Sequence, residues 1–234
     1  FNAPSVSAAG IGTDLSMNTN ALSFGSGSGL ALAFTGTTAD TGYNQLKVVG
    51  AVNLAGAALA LSGSYVPTGL DVFTLLDNDG TDAVTGTFTG LAEGATIANV
   101  LGSGRSGTIS YVGGTGNDVV LTMQRTAIPV VLGSLNQTYN GTAGAVSVTT
   151  VPSGLSVSLT YAGSTTPPTN PGSYAVVATI NDDNYSGTAT GTLVIAKISQ
   201  AITFDALPDL TSTDAGPTLT ATASSGLAVT YTVS

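Results

Sequence analysis

An all-β fold is what this sequence predicts, and three observations predict it. Thr, Ser, Gly, Val and Ala dominate, the residues of strands and tight turns. Short segments alternate apolar and small or polar residues with period two, each bounded by Gly, Asn, Asp or Pro. No window keeps apolar residues at i, i+3, i+4 and i+7, so no helix longer than about two turns is expected.

The elements follow in order. "LALAF" puts Leu30, Leu32 and Phe34 on one face and Ala31 and Ala33 on the other. "NQLKVVG" turns Leu46 and Val48 inward and Gln45 and Lys47 outward. "ALALS", "DVFTLL", "TGTFTG", "TISYV" and "DVVLTM" continue the alternation. Near Thr126 the strands lengthen: "AVSVTTV", "LSVSLTY", "GSYAVVATI", "GTATGTLVIA". The turns between them carry "VPSG", "STTPPTNPG" and "NDDNYSG". This spacing predicts a small Greek-key sandwich. Its core is expected to include Val146, Val148, Leu155, Val157, Leu159, Tyr174, Val176, Leu193 and Ile195. A further boundary falls at "AKISQ", 196–200. Beyond it, "SGLAVTYTV" at 225–233 echoes "SGLSVSLTY" at 153–161, the mark of tandem units. The chain thus divides into 1–125, 126–198 and 199–234.

Composition excludes several functions. The net charge is −9, and Lys47, Arg105, Arg125 and Lys197 are the only basic side chains. Nothing could neutralise a row of phosphates, so neither nucleic acid nor an anionic membrane surface is an expected partner. With no cysteine and no histidine, zinc fingers, thiol catalysis and His-based triads are ruled out. Stability must come from size rather than disulfides. No apolar run reaches the roughly 18 residues of a membrane span. The chain opens at Phe1 without a signal peptide, which reads as a piece of a longer, processed polypeptide.

The stretch "TYNGTAGAVSVTTVPSGLSVSLTYAGSTTPPTNPGSYAVVATINDDNYSGTATGTLVIAK" resembles the MBG-type bacterial Ig-like module over roughly 136–197. The features are the opening "YNGT", the central "GLSVSLTY", "NPGSYAVVATINDDNYSG" and the exit "LVIAK". Residues 201–234 are similar to the start of another bacterial Ig-like repeat. Upstream, "YNQLKVVGAVNLAGAALAL", "FTLLDNDGTDAVTGTFTGLAEGATI" and "ISYVGGTGNDVVLT" resemble the segment that ends β-helical passenger regions of autotransporter-like surface proteins. The resemblance implies a β-helix end or β-sandwich cap over 1–125, an Ig-like Greek-key sandwich over 126–198, and the first strands of a further module over 199–234. It also implies a very long secreted protein at the bacterial cell surface, built for adhesion or as surface structure. It carries no catalytic residues.

Two acidic motifs raise the question of calcium. "GGTGNDVVL", 113–121, fits the nonapeptide of calcium-binding β-rolls. That ion lies between consecutive turns and takes 6–8 oxygens, so the motif must recur; here it occurs once. The structural reading is a hairpin. Gly113, Gly114 and Gly116 allow left-handed backbone, and Val119 and Leu121 enter the core. "LLDNDGTDAVTG" places Asp77, Asp79 and Asp82 in one turn, with Asp71 nearby. Counted from Asp77, an EF-hand loop fails at Thr81, Asp82 and Phe88. The structural reading is an Asx-rich turn. Three carboxylates so close repel one another, and a cation would relieve that. Calcium, if bound, is expected at Asp77, Asp79 and Asp82 before Asp118. Asp182 and Asp183 in "NDDN" read as a solvated turn. Glu93, the lone glutamate, sits in a turn beside Gly94. An enzyme is not expected: no histidine, cysteine or tryptophan is present, and the carboxylates lie in turns. Lys47 reads as outward-facing and Lys197 as a linker residue, which does not favour a Lys–Asn isopeptide bond. Sequons stand at Asn136, Asn140 and Asn184.

The expected function is a structural and adhesive segment of a large extracellular protein, a modular stalk whose partners are neighbouring modules or neighbouring copies. The alternatives are a surface glycan-binding module, calcium-dependent in one form, a filament subunit completed by strand addition, and, remotely, an accessory domain of a hydrolase. Exposed aromatics along one sheet face would favour glycan binding; a bare Thr/Ser face favours the spacer. "AITF", "TLTATA" and "LAVTYTV" make about three strands without a facing sheet. Order up to Ser234 would therefore require either more chain beyond it or a neighbour's strand, continuation being the expected case.

Overall fold

The computed structural model describes residues 2–3, 6–7, 15–25, 27–207, 209, 211 and 215–232, with side chains from Ala21 onward. Among them one short 3-10 turn, Val100–Gly102, is the sole helical piece; the rest of the regular structure is strand. The fold is all-β, as the alternation requires. The chain divides into two compact units. One comprises Phe1–Val130, Thr150–Ser158 and Thr179–Thr188; the other comprises Val131–Thr149, Leu159–Ala178 and Ala189–Ser234.

The first region is a stack of parallel rungs. Leu15–Phe24 pairs in parallel with Leu46–Asn53, which pairs in parallel with Val72–Asn78. Gly29–Phe34 pairs in parallel with Ala58–Gly63 on a second ladder. Asn2–Ala3 and Val6–Ser7 lie on the same two ladders. Leu15, Leu46 and Leu76 follow one another in register, so the chain returns to one ladder after about 30 residues. Two parallel ladders climbed alternately give this region a β-helical coil.

The stack then ends in antiparallel strands. Asp118–Met123 runs antiparallel to Val72–Asn78, Gly107–Gly113 antiparallel to Asp118–Met123, and Thr96–Ile97 lies beyond. Changing from parallel to antiparallel stops the coil, because the chain no longer returns to the same ladder.

Inside the coil, like residues lie above like. Leu22 stands beside Val52 and Val52 beside Val84; Leu30 stands beside Leu59 and Leu32 beside Leu61. At the end of the stack Phe34 stacks on Tyr43, and Phe73 meets both edge to face at 5.1 and 5.3 Å between ring centroids. Gly63 is required where it stands. Its φ is +141°, and a Cβ there would lie 2.0 Å from the Phe34 carbonyl oxygen.

Two local expectations are corrected. Gln45 is buried, not outward: its Nε2 donates to the Thr74 carbonyl at 3.0 Å, an inward position made tolerable by that bond. "TGTFTG" is not a strand beyond Val84–Thr85; Gly86 and Gly90 take positive φ and turn the chain, while Phe88 plugs into the core.

The 126–198 stretch forms a four-stranded sheet in the order Asn136–Thr138, Thr188–Ala196, Gly172–Ile180, Val157–Tyr161, with Val130–Gly133 pairing Ser147–Thr150 separately. Its core holds Val146, Tyr161, Val176, Leu193 and Ile195, with Leu132, Leu135, Tyr139, Leu159 and Tyr174 packed against them. Six of the nine expected core residues are there. Val148, Leu155 and Val157 are half-buried and outside the cluster. Tyr161 was not expected; its hydroxyl accepts the Val146 N–H at 3.1 Å, which lets a tyrosine sit in the core. Beyond 200, Ile202–Phe204 pairs antiparallel with Ala221–Ala223. Described residues 227–232 form no strand, and Ser234 lies outside the described residues.

Candidate functional site

The two acidic motifs, 40 residues apart in sequence, meet at one end of the β-helical region. Val72–Asn78 and Asp118–Met123 are neighbours in the sheet, so the turn after the first packs on the hairpin before the second. Asp118 is buried, and its Oδ1 accepts the Asn78 N–H at 2.9 Å. Oδ2 accepts the Thr115 N–H at 3.0 Å and the Thr115 hydroxyl at 3.3 Å. Gly114 and Gly116 hold positive φ, while Gly113 does not; a Cβ on Gly114 would lie 1.9 Å from Asp118 Oδ2. The glycines therefore serve the hairpin and make room for this carboxylate. Val119 and Leu121 are fully buried, as the hairpin reading requires.

The turn 79–82 points its carbonyls at an amide. Asn117 Nδ2 donates to Asp79 O at 3.1 Å, Gly80 O at 3.4 Å and Asp82 O at 3.0 Å. Asn78 Nδ2 also donates to Asp82 O. Converging carbonyls of this kind attract a positive centre, and here two amide groups supply the positive hydrogens. Asp79 turns away: its Oδ1 accepts the Gly50 N–H at 2.9 Å. Asp77 stands opposite Lys47 in the ladder, and Lys47 Nζ donates to Asp40. Asn78 Oδ1 is buried without a partner, one oxygen where calcium takes six to eight. Among the described residues no three acidic side chains come together in a way that could hold a metal ion.

The other candidates have local roles. Asp71 Oδ2 accepts the Tyr65 hydroxyl and the Thr68 N–H, both at 2.8 Å. Burial, and after it the bond to Asp71, pushes the Tyr65 phenol up to about 12. Glu93 Oε2 accepts the Tyr111 N–H at 2.6 Å, a function its sequence context did not reveal. The Tyr111 hydroxyl accepts from Phe88 N–H and donates to Leu91 O; burial holds its pKa above the ordinary tyrosine value. Asp182 Oδ1 accepts the N–H groups of Asn184 and Tyr185, an Asx turn. Asn140 Oδ1 accepts from Thr142 in the same manner.

Two surfaces remain. The outer face of the four-stranded sheet presents Ser158, Ser173, Val177, Thr190, Thr192 and Val194; the tyrosines of these strands, Tyr161 and Tyr174, belong to the core side, and the strands carry no charged side chain. Separately, an open cleft of about 510 Å³ in the second unit is lined by Tyr139, Asn140, Lys197, Gln200, Ser225 and Leu227 among others, without a carboxylate. No described helix is long and apolar enough to cross a membrane.

Residues 129–199 match the family model of the MBG domain, and that stretch is an MBG-type module. Comparison with curated proteins gives no match, and neither does comparison with solved structures. The β-helical region is therefore known by its topology, and the module by its sequence and its strands.

Proposed function

We propose that this chain is a structural segment of a large secreted protein of the bacterial cell surface, acting as a modular stalk or spacer. MBG-type modules are typically found on extracellular surface proteins, and repeat-type modules act by holding the chain's path. The observation that carries the reading is the bare outer face of the module's sheet. Sugar is bound by aromatic platforms and fixed polar groups, and a face of Ser, Thr, Ala and Val offers neither. The same composition suits a solvated strand surface that keeps apart from its neighbours without charge.

The reading also accounts for how the acidic groups are spent. The carboxylate oxygens of Asp71, Asp79, Glu93 and Asp118 described above each take backbone N–H groups, so they hold turns rather than wait for a substrate.

A glycan-binding reading is favoured by one observation, the cleft around Tyr139, Asn140 and Lys197. A screen of immobilised glycans with the purified chain separates the two. The spacer reading predicts no saturable binding. Saturable binding lost in Tyr139→Ala would replace it with the glycan reading.

A further inference from the structure

Asn140 and Gly141, inside the "YNGT" that opens the module, are the one Asn-Gly pair in the chain. Both residues are exposed. Gly141 holds a φ of +81°, and a Cβ there would meet nothing within 4 Å. Asn140 Oδ1 accepts the Thr142 N–H at 2.9 Å and the Thr142 hydroxyl at 2.7 Å. This Asx turn folds the side chain back along the peptide that joins Asn140 to Gly141.

An asparagine side chain is open to attack by the main-chain nitrogen of the next residue, once that nitrogen has given up its proton. A hydrogen bond keeps the proton in place, and the other asparagines show it. Asn53 Oδ1 accepts the Ala55 N–H at 3.0 Å in the same kind of turn, yet the Leu54 N–H donates to Thr85 O at 2.9 Å and Leu54 is fully buried. After Asn78, the Asp79 N–H donates to Val48 O at 3.0 Å; after Asn99, the Val100 N–H donates to Arg105 O at 2.8 Å. After Asn184, the Tyr185 N–H donates to Asp182 Oδ1 at 3.1 Å. The Gly141 N–H has no acceptor among the described residues. With no Cβ beside it, that nitrogen is also open to close approach. The two Thr142 donors sit on the oxygen where negative charge gathers when Cγ is attacked, as donors do in an oxyanion hole.

We propose that Asn140 is a site of spontaneous deamidation in the folded module. The Gly141 nitrogen, its proton lost to solvent base, bonds to Asn140 Cγ. The Cγ–Nδ2 bond breaks, and the side-chain amide leaves as ammonia. A five-membered succinimide remains. Water opens it at Cγ to give aspartate, or at the main-chain carbonyl to give isoaspartate. One water is consumed and one ammonia released, with no change of oxidation state. Either product adds a negative charge at position 140, and the second also adds one atom to the main chain. The turn leads into Gly144, where a Cβ would lie 2.9 Å from Ile195 Cδ1, so the lengthened chain presses towards the module's core.

The test incubates the full chain, folded and in denaturant, at mildly alkaline pH. Digested peptides are then mapped by mass and by enzymatic methyl labelling of isoaspartate. In the folded chain the peptide holding Asn140 should gain the mass of an amide-to-acid exchange, no more than about tenfold more slowly than in denaturant. Part of the product should take the methyl label. Peptides holding Asn53, Asn99 and Asn184 should stay unchanged in the folded chain. Asn140→Gln should abolish the mass gain, and Asn53→Gln should leave it as it was. Conversion of Asn140 in denaturant but not in the folded chain overturns the proposal, because the turn then protects the amide. No conversion in either state overturns it as well. Conversion of Asn53, Asn99 or Asn184 as fast as that of Asn140 in the folded chain overturns it too, since a bound N–H would then offer no protection.

Discussion

In the β-helical region the core residues lie one above another across rungs about 30 residues apart: Leu22 beside Val52 beside Val84, Leu30 beside Leu59. In the MBG-type module they face each other within one short sandwich, where Val146, Tyr161, Val176, Leu193 and Ile195 close on themselves. Both regions use the same Val, Leu, Thr and Gly. The difference lies in where each core stops. A coil can bury its residues only against the next coil, so it has an end that must be closed. Here the antiparallel strands Gly107–Gly113 and Asp118–Met123 close it, and the Asp118–Asn78–Asn117 network fastens that closure to the last rung. The module carries its own facing strands and needs no such device.

This contrast can be broken most sharply at Phe73. The ring is fully buried at the end of the stack, between Phe34, Tyr43 and Tyr65. Phe73→Ala should cost about 3–5 kcal/mol, and calorimetry should show the first transition lowered while the module's transition stays in place. Equal loss in both transitions would mean that the two cores are one.

The module gives the matching experiment. Leu193 is fully buried and Val194, its neighbour in the same strand, faces out. Leu193→Ala should cost about 2–5 kcal/mol. Val194→Ala, on the face read as bare, should stay within about 0.5 kcal/mol. A large effect of Val194→Ala would place a partner or a packed layer on that face.

A smaller effect is expected at the closure. Asp118→Ala leaves the buried Asn78 N–H without its acceptor, a loss of about 1–3 kcal/mol in the first transition. Calcium at millimolar concentration should leave the melting temperature unchanged, since Asn117 and Asn78 already occupy the carbonyls of 79–82. A calcium-dependent rise that Asp79→Ala abolishes would show instead that the turn opens to take a cation.

The smallest effect is one of pH. Tyr65 has its folded pKa raised to about 12 by burial and by its bond to Asp71. A raised folded value means that its contribution is complete below the unfolded pKa, near 10, and is lost as pH rises towards 12. Tyr65→Phe should flatten the loss of stability in that window, and one fewer late-ionising tyrosine should appear in ultraviolet titration. If the phenol lost from the curve is one that ionises near 10, Tyr65 ionises as an ordinary surface phenol.

What the sequence made legible was local. Alternation in "LALAF" placed Leu30, Leu32 and Phe34 inward, and all three are buried. The glycines of 113–116 announced a hairpin. Pairing across 30 residues was not legible, because a parallel ladder leaves no mark on either strand beyond alternation; only resemblance pointed to a β-helix. Gln45 broke the alternation because its amide found the Thr74 carbonyl, a partner 29 residues away. The joining of Asp118 to Asn78 was hidden for the same reason. In the module, Leu155 and Val157 alternate as core residues should, yet the strand Val157–Tyr161 lies at the edge of its sheet, where alternation no longer guarantees depth. Tyr161 was missed because its polar end disguises a core position until the Val146 N–H is seen.

The β-helical region and the module each hold a core of their own. Pulling single molecules from both ends tests it most directly. The account predicts two resisted unfolding events, the longer released by the β-helical region around 15–123 and the shorter by the module at 129–199, with Phe73→Ala weakening the first alone. A single event that Phe73→Ala and Leu193→Ala weaken alike would contradict it.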